Sequence, residues 1–187
     1  MIIYLIRHGE TILNKKGVTQ GHQDSPLTSK GMESAEKHRS LLSKKNIEII
    51  YSSNLGRCVQ TAKIINKFVK KDLVKTGELR ERDFGVFNGR PNKEIVKELD
   101  LSNSNEVAPN GESFNQMKSR VLKFIKSLEN KNYKKVLVVS HEGPVRAILS
   151  EYYMINFNSK KCDSPKEAIY EIEVKDGKIK GLKCINH

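Results

Sequence analysis

Five residues of this chain have types suited to one reaction: Arg7, His8, Arg57, Glu81 and His141. The first two belong to the stretch Arg7-His8-Gly9-Glu10-Thr11, which follows directly on the apolar run of residues 2–6. A guanidinium offers a planar fork of donors matched to phosphate or carboxylate oxygens. An imidazole can be nucleophile, base or metal ligand. Gly9, with no Cβ, lets the backbone come close to a ligand. Two arginines can neutralise a transferring phosphoryl group and brace its equatorial oxygens, which is most of what phosphoryl transfer asks of a protein. A histidine between cations has its protonated form disfavoured, so a ring nitrogen stays free to attack phosphorus. The second imidazole can donate to the phosphoryl oxygens. The carboxylic acid can protonate the leaving oxygen and then take a proton from the water that opens the phosphohistidine. Two histidines with carboxylates can also form a metal site, but no cluster here has ligand spacing, and neighbouring arginines repel a cation.

These residues are far apart in sequence, so the elements between them must bring them together. Residues 2–6 read as a buried first strand. A long polar loop, residues 9–26, follows, and loops of that length are usually functional. Thr28 is an N-cap for a helix running through Met32, Ala35 and Leu41-Leu42 to about Lys44. Residues 47–51 read as a second strand, and Ser52-Ser53-Asn54 as the cap of a helix from Leu55 to about Val69, with Val59, Ala62, Ile65 and Phe68 on its buried face. Residues 72–79 read as a third extended segment leading to the Glu81 loop. Pro91 suits the first turn of a short helix reaching Leu99. Glu112-Ser113 opens a helix with Phe114, Met117, Val121, Phe124, Ile125 and Leu128 at a 3.6 period. Residues 135–139 are the clearest strand; they end in Ser140-His141-Glu142-Gly143-Pro144, and a helix runs from there to Tyr153. Residues 168–174 and 178–184 alternate around Asp176-Gly177, a hairpin signal. Strand and helix alternate without repeat or linker. The pattern predicts a single α/β domain over residues 1–187, with a mostly parallel central sheet, helices on both faces and a C-terminal antiparallel hairpin. In such a sheet the carboxyl ends of the strands share one ligand-binding rim. His8, the 52–57 turn, Glu81 and His141 each follow a strand and should converge there.

Composition narrows the partners. The net charge is +12, from 34 Lys+Arg against 22 Asp+Glu, so the surface steers anionic substrates. The basic residues are dispersed as short Lys pairs, and aromatics, at 6%, do not interleave with them, which argues against nucleic acid. Cys58, Cys162 and Cys184 are odd in number and form no CxxC pair, which suits a reducing compartment rather than a disulfide frame or a zinc site. No apolar run approaches the roughly 20 residues of a membrane span, and the chain enters its first strand without a signal-type hydrophobic region. A cytoplasmic protein with no membrane partner is expected; its oligomeric state is not readable.

The pentapeptide at residues 7–11 resembles the signature of the histidine phosphatase superfamily, the phosphoglycerate mutase-like proteins. Further blocks follow in the family's order: Asn14 with Gln20-Gly21 and Asp24-Ser25-Pro26-Leu27-Thr28; then residues 52–57 with Gln60-Thr61-Ala62; then Leu79-Arg80-Glu81 with Phe84-Gly85; then Gly111-Glu112-Ser113; and last Ser140-His141-Glu142-Gly143 with Arg146. Only the C-terminal hairpin lacks a diagnostic motif. The resemblance implies a phosphoglycerate mutase-like fold and a phosphohistidine mechanism with no cofactor and no metal. It implies His8 as the phosphorylated nucleophile, Arg7, Arg57 and His141 as the phosphate pocket, and Glu81 as proton donor. Asn14 and the backbone amide of Glu142 would add donors, and Gln20 and Gly21 belong to the substrate-binding block.

The chain departs from the mutases of that family, which carry a longer insertion with an arginine pair between the acid block and the second histidine. Here residues 82–111 are short and mixed in charge. A more open pocket, reached by water, makes a phosphomonoesterase acting on a small anionic metabolite the expectation, with a phosphoglycerate mutase or other phosphohistidine transferase as the alternative. Many phosphatase-like members have a basic residue where Gly17-Val18 stand, and an aromatic followed by a glutamate where Phe87-Asn88 stand, so a less charged substrate rim is expected too. His38 and His187 read as solvated surface, His22 as an exposed loop histidine, and Tyr152 and Tyr153 as packing.

Overall fold

A computed structural model describes residues 1–186. Six strands form one sheet: β1 (Ile2–Arg7), β2 (Ile49–Ser53), β3 (Leu73–Thr76), β4 (Lys135–Ser140), β5 (Ile169–Lys175) and β6 (Lys178–Cys184), in the order β3-β2-β4-β1-β5-β6. β1, β2, β3 and β4 run parallel, and β5 and β6 are antiparallel. The expected fold class therefore holds. The order matters for the site. β4 lies between β1 and β2, with Arg7 in register with Ser140 and Ser52 with Val139, so His141 emerges between His8 and the turn after β2.

Side chains alternate across the sheet because successive strand residues point to opposite faces. Ile3, Leu5, Val136 and Val138 meet α5 (Phe114–Ser127) and α6 (Glu142–Tyr153) on one face. Tyr4, Ile6, Leu137 and Val139 meet α3 (Gly56–Val69), with Leu42 of α2 (Ser29–Leu42), on the other. Truncating a fully buried residue such as Ile65 should cost about 2–5 kcal/mol. A third, smaller cluster, Phe87, Ile95, Leu99 and Ala108, organises the 82–111 segment around α4 (Asn92–Glu98). The hairpin turns through Asp176 and Gly177, both at positive φ (54° and 66°), as its two-residue signal implies.

Several expectations are corrected by these contacts. The polar loop after β1 contains a helical turn, α1 (Ile12–Lys15), closed by a reciprocal cap between Thr11 and Asn14. α3 takes no cap from Ser52, Ser53 or Asn54; its first amides, Gly56 and Arg57, donate instead to the carboxylate of Asp24 from the distant loop. The third extended segment shortens to β3 and gives way to a 3-10 turn, Gly77–Leu79. Pro91 stands at the N-cap of α4 rather than inside it. Phe68 is 54% exposed, its ring covered by the Arg39 guanidinium at 3.7 Å. Met32 and Leu41 are also exposed, because α2 buries the stripe Gly31, Ala35, His38 and Leu42. His38 is thus not a surface residue: it is 3% exposed, its Nε2 donates to the Glu167 carbonyl (2.9 Å), and burial pushes its pKa down. Tyr153 is partly exposed, with its ring edge-on to Tyr152. His187 lies outside the described residues. Among the described residues, no helix is long and apolar enough to cross a membrane.

Candidate active site

His8 stands one residue beyond β1 with its backbone amide still on the ladder, donating to the Ser140 carbonyl (2.9 Å). It is 3% exposed. Its Nδ1 lies 2.8 Å from the Gly9 carbonyl oxygen. A carbonyl only accepts, so Nδ1 carries the proton and Nε2 keeps its lone pair. Burial first, then the charges of Arg57, Lys166 and Arg7, hold the imidazole pKa well below its ordinary value. Gly9 packs its Cα against the Gly31 carbonyl, where a Cβ would collide, and its amide donates to Thr61 Oγ1 (3.1 Å), which itself donates to the Arg57 carbonyl. The first strand end is thereby tied to α3.

Arg57, in the first turn of α3, is the most deeply enclosed charge, 1% exposed. Its terminal nitrogens donate to the carbonyls of Gln23 and Gly21, each at 2.7 Å, and Nη1 approaches Asp24 Oδ1 (3.3 Å). Its Nε donates to Nδ1 of His141 at 3.2 Å. That bond assigns the His141 tautomer: the proton is on Nε2, which donates to Ser53 Oγ (2.8 Å). The His8 and His141 rings meet at 5.1 Å, inclined at 64°. Burial and the Arg57 charge hold the His141 pKa well down. Both His141 ring nitrogens are engaged in this arrangement, Nδ1 by the Arg57 Nε–H and Nε2 by Ser53 Oγ. Cys58 closes the back of the ring, its sulfur 3.3 Å from Nε2, with burial keeping the thiol protonated.

Arg7 is held between the Ser164 carbonyl (3.2 Å) and the Glu142 carboxylate (2.6 Å). Asn14 sits across from it on α1. Its Oδ1 accepts from the Thr11 amide (3.2 Å) and from Lys166 Nζ (2.9 Å), so its NH₂ group is the end left free as a donor. Lys166 escaped the sequence reading. Burial and the nearby Arg7 lower its pKa to about 8, and its charge is felt by His8. Glu142 was expected to contribute only a backbone amide. Its carboxylate also lies in the site, bridging Arg7 and Arg146.

Glu81 arrives on the loop after Leu79, which is anchored to β4 by Ser140 Oγ donating to the Leu79 carbonyl (2.8 Å). Its carboxylate accepts from the Arg82 amide (2.9 Å) and from the Gly143 amide (3.2 Å) at the start of α6. Burial outweighs these donors and the Arg57 charge, and raises the pKa above that of an ordinary carboxyl. A Cβ on Gly143 would run into this carboxylate and the Met117 sulfur, so the acid's position depends on that glycine. Two more residues brace the loop. His22 is half-buried rather than exposed, with Nε2 donating to the Glu81 carbonyl (3.0 Å) and Nδ1 3.2 Å from Asp83. Arg82 is 4% exposed, donates to the carbonyls of Glu112 and Glu106, and lies over the Phe84 ring. In sequence it was only one charge among a mixed set.

Arg7, His8, Asn14, Gln20, Gly21, Arg57, Glu81 and Glu142 line one cleft of about 490 Å³. Gln20 is buried and accepts from Ser25, and Gly21, at φ +49°, supplies the carbonyl that holds Arg57. Of the expected site residues only His141 does not line this cleft; it lies against Arg57. Among the described residues no group of three or more His, Cys, Asp or Glu is arranged to hold a metal ion.

Comparison with known proteins identifies the family. A family model for the histidine phosphatase superfamily (branch 1) matches residues 3–186. The chain is 30% identical over 186 residues to the adenosylcobalamin/alpha-ribazole phosphatase of Escherichia coli (strain K12), covering 95% of this chain and 87% of that one. It superposes on the alpha-ribazole phosphatase of Shigella flexneri with a TM-score of 0.83 at 28% identity, over 100% of this chain and 96% of that one. It superposes also on a phosphoglycerate mutase from Bacillus anthracis str. Sterne, with a TM-score of 0.81 at 25% identity, over 99% and 92% of the two chains. The chain belongs to branch 1 of the histidine phosphatase superfamily.

Proposed function

We propose that this protein is a phosphomonoesterase that works without a metal, through a phosphohistidine at His8, on a small phosphorylated metabolite. The observation that carries the reading is the His8 tautomer. Nδ1–H is fixed on the Gly9 carbonyl, so a neutral Nε2 is left as nucleophile in a cleft lined by Arg7, Arg57 and Glu81. In the first step the Nε2–P bond forms as the ester P–O bond breaks. The Arg7 and Arg57 guanidiniums and the free NH₂ of Asn14 hold the equatorial oxygens. Protonated Glu81 gives its proton to the departing alcohol oxygen. In the second step water attacks phosphorus, Nε2–P breaks, and Glu81 takes the proton back, so that inorganic phosphate leaves and the enzyme is restored.

His141 serves by aiming Arg57, and Glu142 by holding Arg7 when substrate is absent. Gln20 and Gly21 form part of the substrate-binding wall. We take residues 1–187 as one catalytic domain, and place it in the cytoplasm, where the free thiols of Cys58, Cys162 and Cys184 suit a reducing environment. The phosphatases among the relatives support hydrolysis. The similarity to a phosphoglycerate mutase keeps phosphotransfer as the alternative. Release of phosphate from 4-nitrophenyl phosphate in EDTA, by the wild type and by His8→Ala, tests the reading. An active wild type beside a dead variant supports it. Activity that survives loss of His8, or needs a metal, contradicts it.

A further inference from the structure

Among the described residues only backbone amides donate to the Glu81 carboxylate, those of Arg82 (2.9 Å) and Gly143 (3.2 Å). The direction in which this acid points is therefore set by the backbone of residues 77–83. Little of the sheet supports that segment. β3, the strand leading into it, lies at the sheet edge and pairs with β2 alone, and Gly77 and Glu78 are exposed.

Side chains from elsewhere hold it instead. Arg120, on α5, lays its guanidinium along this backbone: Nη1 faces the carbonyls of Glu78 (2.8 Å), Arg80 (3.2 Å) and Gly77 (3.3 Å) and shares its hydrogens among them. Nη2 pairs with Glu112 Oε1 at 2.6 Å, and the two side chains are only 21% and 20% exposed. The same Oε1 accepts from the Asp83 amide (3.1 Å), while the Glu112 amide donates to the Asp83 carbonyl (2.9 Å). One ion pair thus brackets Glu81, fixing three carbonyls before it and both backbone groups of Asp83 after it. From the other side His22 holds the Glu81 carbonyl and Ser140 the Leu79 carbonyl. Neither Arg120 nor Glu112 lines the cleft, so neither meets the substrate.

We infer that Arg120 is a positioning residue for the acid: paired with Glu112, it holds the 77–83 backbone so that the Glu81 carboxyl stands at the leaving-group oxygen. This rests on the phosphatase reading of the site and deepens it with a residue outside the cleft. A guanidinium is a rigid fork that serves carbonyls and a carboxylate at once, whereas an ammonium is a single point of charge. Misplacing a reacting group by about 1 Å, even by a change far from the chemistry, can cost on the order of 10²-fold in rate. Here that cost falls on esters whose departing oxygen needs a proton and spares those whose leaving group departs as an anion.

The test compares kcat/KM for benzyl phosphate and 4-nitrophenyl phosphate in EDTA, because this ratio covers the steps up to alcohol release and leaves out the later hydrolysis of phosphohistidine. Arg120→Met should lower the benzyl phosphate value by about tenfold or more and the 4-nitrophenyl phosphate value by less than about threefold. Arg120→Lys should show the same pattern with a smaller loss. In a Glu81→Gln background, where no acid is left to misplace, Arg120→Met should lower the benzyl phosphate value by less than about twofold. Equal losses for the two esters, losses that multiply in the double variant, or an unchanged benzyl phosphate value would each overturn the inference and leave the phosphatase reading standing. If Arg120→Met does not fold, Arg120→Lys alone and combined with Glu81→Gln is judged by the same criteria. If wild type releases no phosphate from either ester and His8 is never phosphorylated, the phosphatase reading fails and takes this inference with it.

Discussion

In the proposed mechanism His8 attacks phosphorus only while neutral, and its surroundings favour the neutral ring. Burial and the charges of Arg57, Lys166 and Arg7 all lower its pKa, so the acid limb of kcat/KM should lie well below pH 6.5. The proposed role of Glu81 as acid requires its protonated form, and burial raises its pKa above the ordinary 4.5. The alkaline limb should follow Glu81, with activity falling as pH rises through that raised value. Glu81→Gln should remove this limb and slow benzyl phosphate far more than 4-nitrophenyl phosphate, whose leaving oxygen needs no proton. An acid's contribution of this kind is on the order of 10²–10⁴. Lys166 acts differently. Its ammonium, with a pKa of about 8, fixes the Asn14 amide through a 2.9 Å bond. Raising pH through 8 removes that charge and should raise KM with little change in kcat. Lys166→Met should raise KM several-fold at pH 7 and abolish the KM rise near pH 8. A kcat loss with unchanged KM would show that Lys166 does not act on phosphate binding.

At the scale of elements, the site is a set of strand ends and helix starts held in place by long-range bonds. Asp24 shows this. From the loop after β1 it caps the first amides of α3 and also approaches the Arg57 guanidinium. Asp24→Ala should cost about 1 kcal/mol of stability as a lost cap and should weaken phosphate binding, because Arg57 loses one of its holders. His38 offers a separate check on the α2 packing. Its folded pKa is lowered, so the unfolded chain binds the proton more readily. The stability this costs is absent above pH 6.5 and grows as pH falls below it. His38→Gln should therefore lose less thermal stability between pH 7 and pH 5 than the wild type does. The same long-range bonds explain which features were legible in the sequence. Arg7, His8, Arg57, Glu81 and His141 stand in local patterns beside strand ends, and the strand–helix alternation places those ends on one rim. Lys166 contacts Asn14 across 152 residues, and Asp24 reaches α3 across 32. Neither has a local signature, and the burial of His38 depends on where α2 meets the start of β5. The inward-turned nitrogens of His141 likewise follow from the buried neighbours Arg57 and Ser53, which no spacing reveals.

At the scale of the whole molecule, a net charge of +12 surrounds a cleft lined by Arg7, Arg57, Arg82 and Arg146. The surface charge should speed the encounter with a dianionic ester without entering the chemistry. Raising the ionic strength should lower kcat/KM several-fold and leave kcat nearly unchanged, because long-range steering is screened over roughly 10 Å at 0.1 M salt. A kcat that falls in parallel would assign the salt effect to the site itself. The mixed-charge 82–111 segment borders this cleft. It closes one side of the cleft with Phe84, Val96 and Leu101 and commits Arg82 to backbone carbonyls.

The most direct measurement is to quench the enzyme during turnover of benzyl phosphate in EDTA and map the phosphoryl group by mass spectrometry under conditions that preserve phosphoramidates. We expect one acid-labile, alkali-stable phosphoryl group on His8 that decays as substrate is exhausted and is absent from His8→Ala. Steady release of phosphate with no label on His8, or with the label on His141 or a carboxylate, would contradict the assignment of the nucleophile on which the mechanism is built.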